Sequence, residues 1–214
     1  MNKSANFSNI HKFYDLINSL LTFGFDKSWR RQAAANLKPG NVLDLGSGTG
    51  ASYYDLKKYN VVALDPDENM LSLNKFQNKV IGISENLPFD NNYFDNIFCC
   101  FVLRNVDSID KTFSEVSRVL KKDGKFILLD MSRPRNNILK QFHKIGTYIV
   151  LHLIGLITFN LKEYRFLHFS LDKLPPPEEL LVDLNLEKKR LKRIVLFGIV
   201  YLGVLENQNL INDY

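Results

Sequence analysis

The chain has 214 residues, 45% of them hydrophobic, with a formal net charge of +5 and a sequence pI near 9.1. That length and apolar fraction fit one α/β domain around a single core, and the charge permits an anionic membrane or nucleic acid without requiring either. The two cysteines, Cys99 and Cys100, are neighbours that a strand points to opposite faces, which excludes a disulfide or a shared metal between them; with no charged-then-apolar leader over residues 1–10, a reducing, cytoplasmic setting is expected.

In chain order, Phe13, Leu16, Ile17, Leu20 and Leu21 recur at helical spacing and predict an amphipathic helix over residues 11–21. Tyr14 falls beside that stripe, where it either faces a cleft or anchors the helix. A second helix is expected from Asp26 as N-cap, through Trp29 and the Ala33-Ala34-Ala35 run, to a stop before Pro39-Gly40. Residues 41–50, NVLDLGSGTG, follow as a buried strand running into a glycine-rich loop. Glycine there lets main chain approach a ligand closely. Asp65, closing the run VVALD, is the acid expected about 20 residues on, at the end of a second strand, where it can accept hydrogen bonds from ribose hydroxyls.

Pro66, Asp67 and Glu68 open the next helix, through Met70, Leu71, Leu73 and Phe76. A third strand is expected over 79–84, a loop over 85–90, and a fourth strand over 96–103. Arg104 and Asn105 stand just past its end, the position from which a parallel sheet meets ligands. Asp107-Ser108 caps a helix with Ile109, Phe113, Val116 and Leu120 buried, and Lys122-Asp123-Gly124 turns into a fifth strand over 125–131. This alternation predicts a parallel, doubly wound sheet.

Beyond Pro134 the pattern changes to apolar helices, with His143, His152, Tyr164, Arg165 and His168 as candidates for substrate selection. The stretch 145–159 carries no charged side chain, yet falls short of the ~20 residues needed to span a bilayer. It reads as a core or interfacial helix. Two closing strands are expected over 191–197 and 199–205. The basic run at 188–193 reads either as a solvated strand edge or as a lipid or nucleic-acid patch. The four histidines lack ligand spacing, so no metal is expected. Without a G-x-S-x-G elbow, or a base beside either cysteine, covalent catalysis is unsupported.

The glycines depart from the G-x-G-x-x-G spacing of dinucleotide sites. A carboxylate at Asp44, ahead of Gly46, would repel a pyrophosphate but suits an ammonium or sulfonium group. The D-L-G-S-G-T-G spacing resembles the first motif of class I S-adenosylmethionine-dependent methyltransferases. Further stretches are similar to the UbiE-type C-methyltransferases of menaquinone and ubiquinone biosynthesis: Tyr14 to Asn18, Trp29-Arg30-Arg31, Glu85 to Phe89, Leu103-Arg104-Asn105-Val106, Arg118 to Lys121, Tyr164 to Leu167 and Gly198-Ile199-Val200.

The resemblance implies a Rossmann-like class I methyltransferase fold. A mostly parallel seven-stranded sheet would carry helices on both faces, in one domain over 1–214, with added helices at 1–38 and a substrate-side helical insertion at 135–175. It implies methyl transfer from S-adenosyl-L-methionine to a ring carbon of a polyprenylated quinol precursor. The cofactor would be held by Asp44, Gly46, Ser47, Gly48, Gly50, Asp65, Pro66, Ser84 and Glu85. One departure is Ile83, where the family often has Asp or Asn to reach the adenine.

Chemically, the ring carbon becomes nucleophilic when a neighbouring hydroxyl, with a pKa of about 10, loses its proton. Arg104 is the expected stabiliser of that oxyanion and Asn105 its orienter, with Tyr14, directly or through a water, handling the proton; His168 is the second candidate, with a packed or solvent-facing histidine as its alternative reading. The expected partners are the quinol and a peripheral membrane surface, with no nucleic acid, and a homodimer is compatible with the sequence. The competing readings are a methyltransferase for another small molecule or lipid, and a non-catalytic S-adenosylmethionine-binding protein.

Overall fold

A computed structural model describes residues 22, 24–157, 161–182, 186–194 and 199–208. The helix expected over 11–21, and Tyr14 with it, lies outside the described residues. The sheet is organised around β1 (Asn41–Leu45), whose four residues after Asn41 are all buried. It pairs in parallel with β2 (Asn60–Asp65) on one side and β4 (Phe94–Cys100) on the other. β3 (Asn78–Ile81) and β5 (Leu120–Met131) continue the parallel array outward. β7 (Val200–Glu206) then joins β5 antiparallel, and β6 (Glu187–Ile194) joins β7 antiparallel at the edge. The order β3-β2-β1-β4-β5-β7-β6 is the mostly parallel, seven-stranded sheet expected. The direction in which strands are added reverses between β1 and β4, and at such a point the strands' carboxyl ends open a crevice.

Strict alternation along the strands divides the core between the two faces. Leu43, Leu45, Ile97, Cys99, Phe126 and Leu128 pack under Phe113, Val116 and Val119 of the helix α4 (Ile109–Val119). Val42, Ala63, Phe98, Cys100, Ile127 and Leu129 meet Trp29, Ala33 and Ala34 of α1 (Phe25–Ala34) on the other face. Cys99 and Cys100 thus point apart, both fully or nearly buried.

Several boundaries differ from the sequence expectation for local reasons. α1 is capped by Gly24, at φ 73°, rather than by Asp26. Asp26 lies in the first turn, favourable beside the helix's positive end, and accepts a 3.1 Å hydrogen bond from the Thr22 hydroxyl. After the glycine loop comes the short helix α2 (Tyr53–Leu56). α3 (Glu68–Leu73), capped by the Asp67 side chain, stops at Asn74, short of Phe76. The Asn74 side chain instead accepts from the Phe76 N–H and donates to Ser47 Oγ and the Gly48 carbonyl. β4 ends at Cys100 because Phe101 takes φ 63°. Leu103–Asn105 then coil into a single 3-10 turn. β6 absorbs the basic run at 188–193, and an edge strand lined with cations resists pairing with other chains.

After β5, α5 (Asn137–Ile157) and α6 (Leu161–Ser170) form a helical hairpin, followed by the short α7 (Pro177–Leu180). Gly155 permits the close crossing of the pair, since a Cβ there would stand 3.0 Å from the Leu161 Cα. Leu151, Ile154 and Tyr164 make the hairpin's own small core. The opposite face of α5 is different: Ile138, Phe142, Ile145, Ile149, Leu153 and Leu156, recurring every three or four positions, are all more than half exposed. No helix among the described residues is long and apolar enough to cross a membrane.

Candidate functional site

A cleft of about 690 Å³ opens at the carboxyl ends of β1, β2, β4 and β5, within the 300–1,000 Å³ usual for small-molecule sites. The glycine loop forms its floor. Gly46 takes φ +67°, and a Cβ there would come within 2.5 Å of Val102 Cγ2, so no side chain fits. Gly48, at φ +51°, has nothing nearer its missing Cβ than Met70 Cε at 3.7 Å and leaves its backbone bare toward the cleft. Ser47 also lines the cleft, its N–H held by the Leu64 carbonyl at 2.9 Å. Gly50 does not; it packs on the Asn74 side chain and shapes the loop from behind.

Asp65 ends β2 beside this loop. One carboxylate oxygen accepts the Gly48 N–H and the other the Asp67 N–H, each at 2.9 Å, so the same side chain that lines the cleft ties the loop to the start of α3. Burial pushes its carboxyl above the usual range, and these two bonds partly offset that. Pro66 lines the cleft next to it.

Asp44 is 3% exposed and lies one residue behind the lining residue Leu45. Its Oδ2 has no hydrogen-bond partner among the described residues. Burial pushes its carboxyl up to about 7, against the pull of Arg30 and with a further push from Asp65. A buried carboxyl in that state calls for a cation. Arg30, on α1, lines the cleft, donates to Ser52 Oγ at 3.0 Å and lies over the Phe101 ring, while its Nε is buried without a partner among the described residues. Nothing in the sequence around Arg30, within Trp29-Arg30-Arg31, marks it for this place; it depends on how α1 packs.

A pH dependence follows from Asp44. Its proton is held more tightly in the folded chain than in the unfolded one, so stability falls as pH rises from about 4 to about 7, then levels. A shift from 3.8 to about 7 corresponds to a penalty on the order of 4 kcal/mol above pH 7. The Asp44→Asn variant is expected to match the wild type near pH 4 and to exceed it in stability at pH 8, measured by urea unfolding without ligand. Parallel curves for the two proteins would remove the assignment to Asp44.

The facing wall carries Ile83, Ser84, Glu85, Arg104 and Asn105. Ser84 shares a 2.8 Å hydrogen bond with Thr112 and donates to Glu85 at 3.0 Å. Glu85 accepts the Asp107 and Ser108 N–H groups at 2.7 and 3.2 Å, at the N-terminus of α4. Burial pushes its carboxyl up, but those two bonds and that from Ser84 outweigh it and hold the group below its usual range. Ser84 and Glu85 therefore brace the wall as well as lining it. Ile83 is half exposed and presents an apolar surface.

Arg104 is 7% exposed and makes its one described hydrogen bond to Met131 Sδ at 3.4 Å, a weak acceptor. Its Nε and the Asn105 Oδ1 are buried without partners among the described residues. Unmet buried polar groups are costly, and a ligand that met them would be bound and oriented by them.

His168 does not line this cleft. Its Nδ1 lies 3.1 Å from Thr147 Oγ1 in a cluster centred on Arg133. That arginine binds Asp172 through Nε and Nη2 and reaches Thr147 Oγ1, the His168 carbonyl and His143 Nδ1. Burial, then Arg133, depresses both histidines, His143 to about 4. The cluster joins the hairpin to the end of β5.

The cleft thus sets the Arg30 cation at one end, with the buried Asp44 carboxyl behind its lining, together with an acceptor pair on Asp65, apolar Met70 and Ile83, and the unmet guanidinium of Arg104. This donor set fits a ligand combining a zwitterionic amino-acid part with a nucleoside, alongside a second molecule bearing an acidic hydroxyl.

Residues 3–192 match the ubiE/COQ5 methyltransferase family. The ubiquinone/menaquinone biosynthesis C-methyltransferase UbiE of Rickettsia bellii is 34% identical over 194 residues, which cover 81% of this chain and 78% of that protein. The demethylmenaquinone methyltransferase of Bacteroides fragilis is 32% identical over 190 residues, covering 80% and 78%. Among solved structures, an S-adenosyl-L-methionine-dependent methyltransferase from Methanococcus maripaludis superposes with a TM-score of 0.64 at 20% identity, over 98% of this chain and 97% of that one. Another, from Thermotoga maritima, gives 0.61 at 19%, over 94% and 97%. At that identity the structural likeness speaks for the fold.

Proposed function

Because the chain belongs to the ubiE/COQ5 methyltransferase family, we propose that it transfers a methyl group from S-adenosyl-L-methionine to a ring carbon of a quinol precursor in menaquinone or ubiquinone biosynthesis. The observation that supports this most is one cleft lined by both the glycine loop with Asp65 and the unmet pair Arg104 and Asn105. When bound, S-adenosylmethionine supplies an electrophilic methyl group on a sulfonium.

The protein's part is binding, charge and the exclusion of water. Gly46, Ser47 and Gly48 admit the donor against bare main chain, Pro66 borders it, and Gly50 keeps the loop in shape. Asp44 draws the ammonium end, and Arg30 offers a cation to the carboxylate. Asp65 receives the ribose hydroxyls on carboxylate oxygens already fixed by Gly48 and Asp67. Ser84 and Glu85 border the base, with Ile83 as an apolar surface where a polar side chain would otherwise read it. Arg104 stabilises the phenolate oxygen of the acceptor, and Asn105 Oδ1 orients the hydroxyl by accepting a hydrogen bond from it before its proton leaves. Tyr14, outside the described residues, remains the candidate to carry that proton away.

Calorimetry with S-adenosylmethionine, followed by transfer to a short-tailed demethylated naphthoquinol or benzoquinol, tests the proposal. Binding with transfer establishes it; binding without transfer to either headgroup moves the function to another acceptor.

A peripheral membrane contact belongs to the same reading, because a polyprenyl tail resides in lipid. The exposed apolar face of α5, with Arg135, Lys162 and Arg165 exposed around the hairpin, has the character of an interfacial helix. The chain is expected to sediment with phosphatidylcholine–phosphatidylglycerol vesicles. A Phe142→Glu, Ile149→Glu double variant should lower that partitioning about tenfold or more, as each removes ~1.5–3 kcal/mol of apolar burial. A change of oligomeric state in that variant, with no vesicle binding by the wild type, would assign the face to a second copy of the chain instead.

A further inference from the structure

Asp130, at the end of β5, is fully buried and is not among the residues lining the cleft. Its Oδ2 accepts the Leu103 N–H at 3.0 Å and its Oδ1 the Met131 N–H at 2.7 Å, and the nearby Val102 N–H also favours its charged form. These are the residues around Arg104. Val102 and Leu103 lead into the 3-10 turn that carries Arg104 and Asn105, and Met131 is the residue Arg104 touches. One carboxylate thus fixes the turn on one side and the guanidinium's neighbour on the other. A carboxyl buried to this degree is costly, and it lies behind the one cationic side chain of the Leu103–Asn105 turn.

We infer that Asp130 is a positioning residue for methyl transfer: it pins the Leu103–Asn105 turn and, as the counter-charge behind Arg104, sets how strongly that guanidinium draws the acceptor's oxyanion. This rests on the quinol methyltransferase reading and adds to it a group that never touches substrate. The other ionisable groups near Asp130 are Cys99 on its own face of the sheet, Cys100 on the opposite face of β4, and Tyr201, its cross-strand partner on β7. Burial pushes all three upward, so they stay neutral and leave Arg104 as the charge that responds. Burial lifts the Asp130 carboxyl above its usual range, and Arg104 with the backbone N–H groups of Met131, Leu103 and Val102 offsets part of that. Engaging Arg104 with a phenolate therefore weakens one of the forces holding that carboxylate ionised.

The test is the pH profile of kcat. Asp130→Asn keeps an acceptor for the Leu103 N–H but removes the charge, so Arg104 acts on the substrate oxygen uncancelled. The acid limb of kcat is expected to move down by about one pH unit, the size expected for a unit charge several ångströms away in a protein interior, with S-adenosylmethionine affinity within about twofold of wild type. A purely structural role would lower the melting temperature and turnover at every pH and leave the limb in place, which overturns the inference. Wild-type transfer to the quinol is measured first; its absence defeats the function reading itself, whereas transfer with an unmoved limb defeats only the role of Asp130. Should Asp130→Asn fail to fold, the wild-type Leu103 amide proton reports on the carboxylate it bonds. Its pH titration should move upward when a low-pKa phenol that binds as the anion, such as a dinitrophenol, is bound with the cofactor, and an unchanged midpoint overturns the proposal.

Discussion

Arg104→Ala is expected to lower kcat about 10²- to 10³-fold while leaving S-adenosylmethionine affinity within about twofold. That range is what removing one preorganised donor from a developing oxyanion costs in a water-poor site. The geometry concentrates the effect in turnover. Arg104 stands in the turn after β4, its Nε unmet and its described contact limited to a thioether, so little of its bonding capacity is used before substrate arrives. The substitution also leaves Asp130 buried without its nearest cation, and unfolding curves must show that the protein remains folded at assay temperature. Arg104→Lys, which keeps the charge but not the planar fork, should recover part of the rate. Equal losses in cofactor affinity and turnover would place Arg104 in cofactor binding and withdraw its role at the oxyanion.

Asp65→Ala should act in the opposite way, weakening S-adenosylmethionine binding about 10- to 100-fold with kcat at saturation changed only a few-fold. Hydrogen bonds to a charged group contribute ~1.5–3 kcal/mol, and a factor of ten in affinity is about 1.4 kcal/mol. Two losses combine: the acceptors for the ribose, and the clamp that holds the Gly48 and Asp67 N–H groups. Asp65→Asn separates them, because an amide oxygen preserves one N–H bond without the charge. Its affinity should fall between wild type and Asp65→Ala in calorimetry. An Asp65→Ala protein that binds the cofactor normally would mean that the ribose is held elsewhere.

Much of this was legible in the chain because it depends on short-range pattern. The run Val42-Leu43 into Gly46-Ser47-Gly48 fixes a strand and a loop that only glycine can make, and Asp65 falls at the end of the next strand by simple counting. The elements that shifted did so through contacts distant in sequence. The 3-10 turn that follows β4 depends on Asp130, 27 residues beyond Leu103. The early stop of α3 depends on Asn74 reaching Ser47 and Gly48.

Alternation, backbone sterics and spacing act locally, and they make the parallel core, the glycine floor, and the placement of Asp65, Arg104 and Asn105 at strand ends readable along the chain. Packing in three dimensions is what brings Arg30 into the cleft, buries Asp44 deeply enough to hold its proton near neutrality, and leaves His168 with Arg133 away from the cleft. It alone set Asp130 behind Arg104. Burial and charge proximity are properties of chains packed against each other, and the free energy of a buried charge depends on what surrounds it in space rather than on its neighbours in sequence.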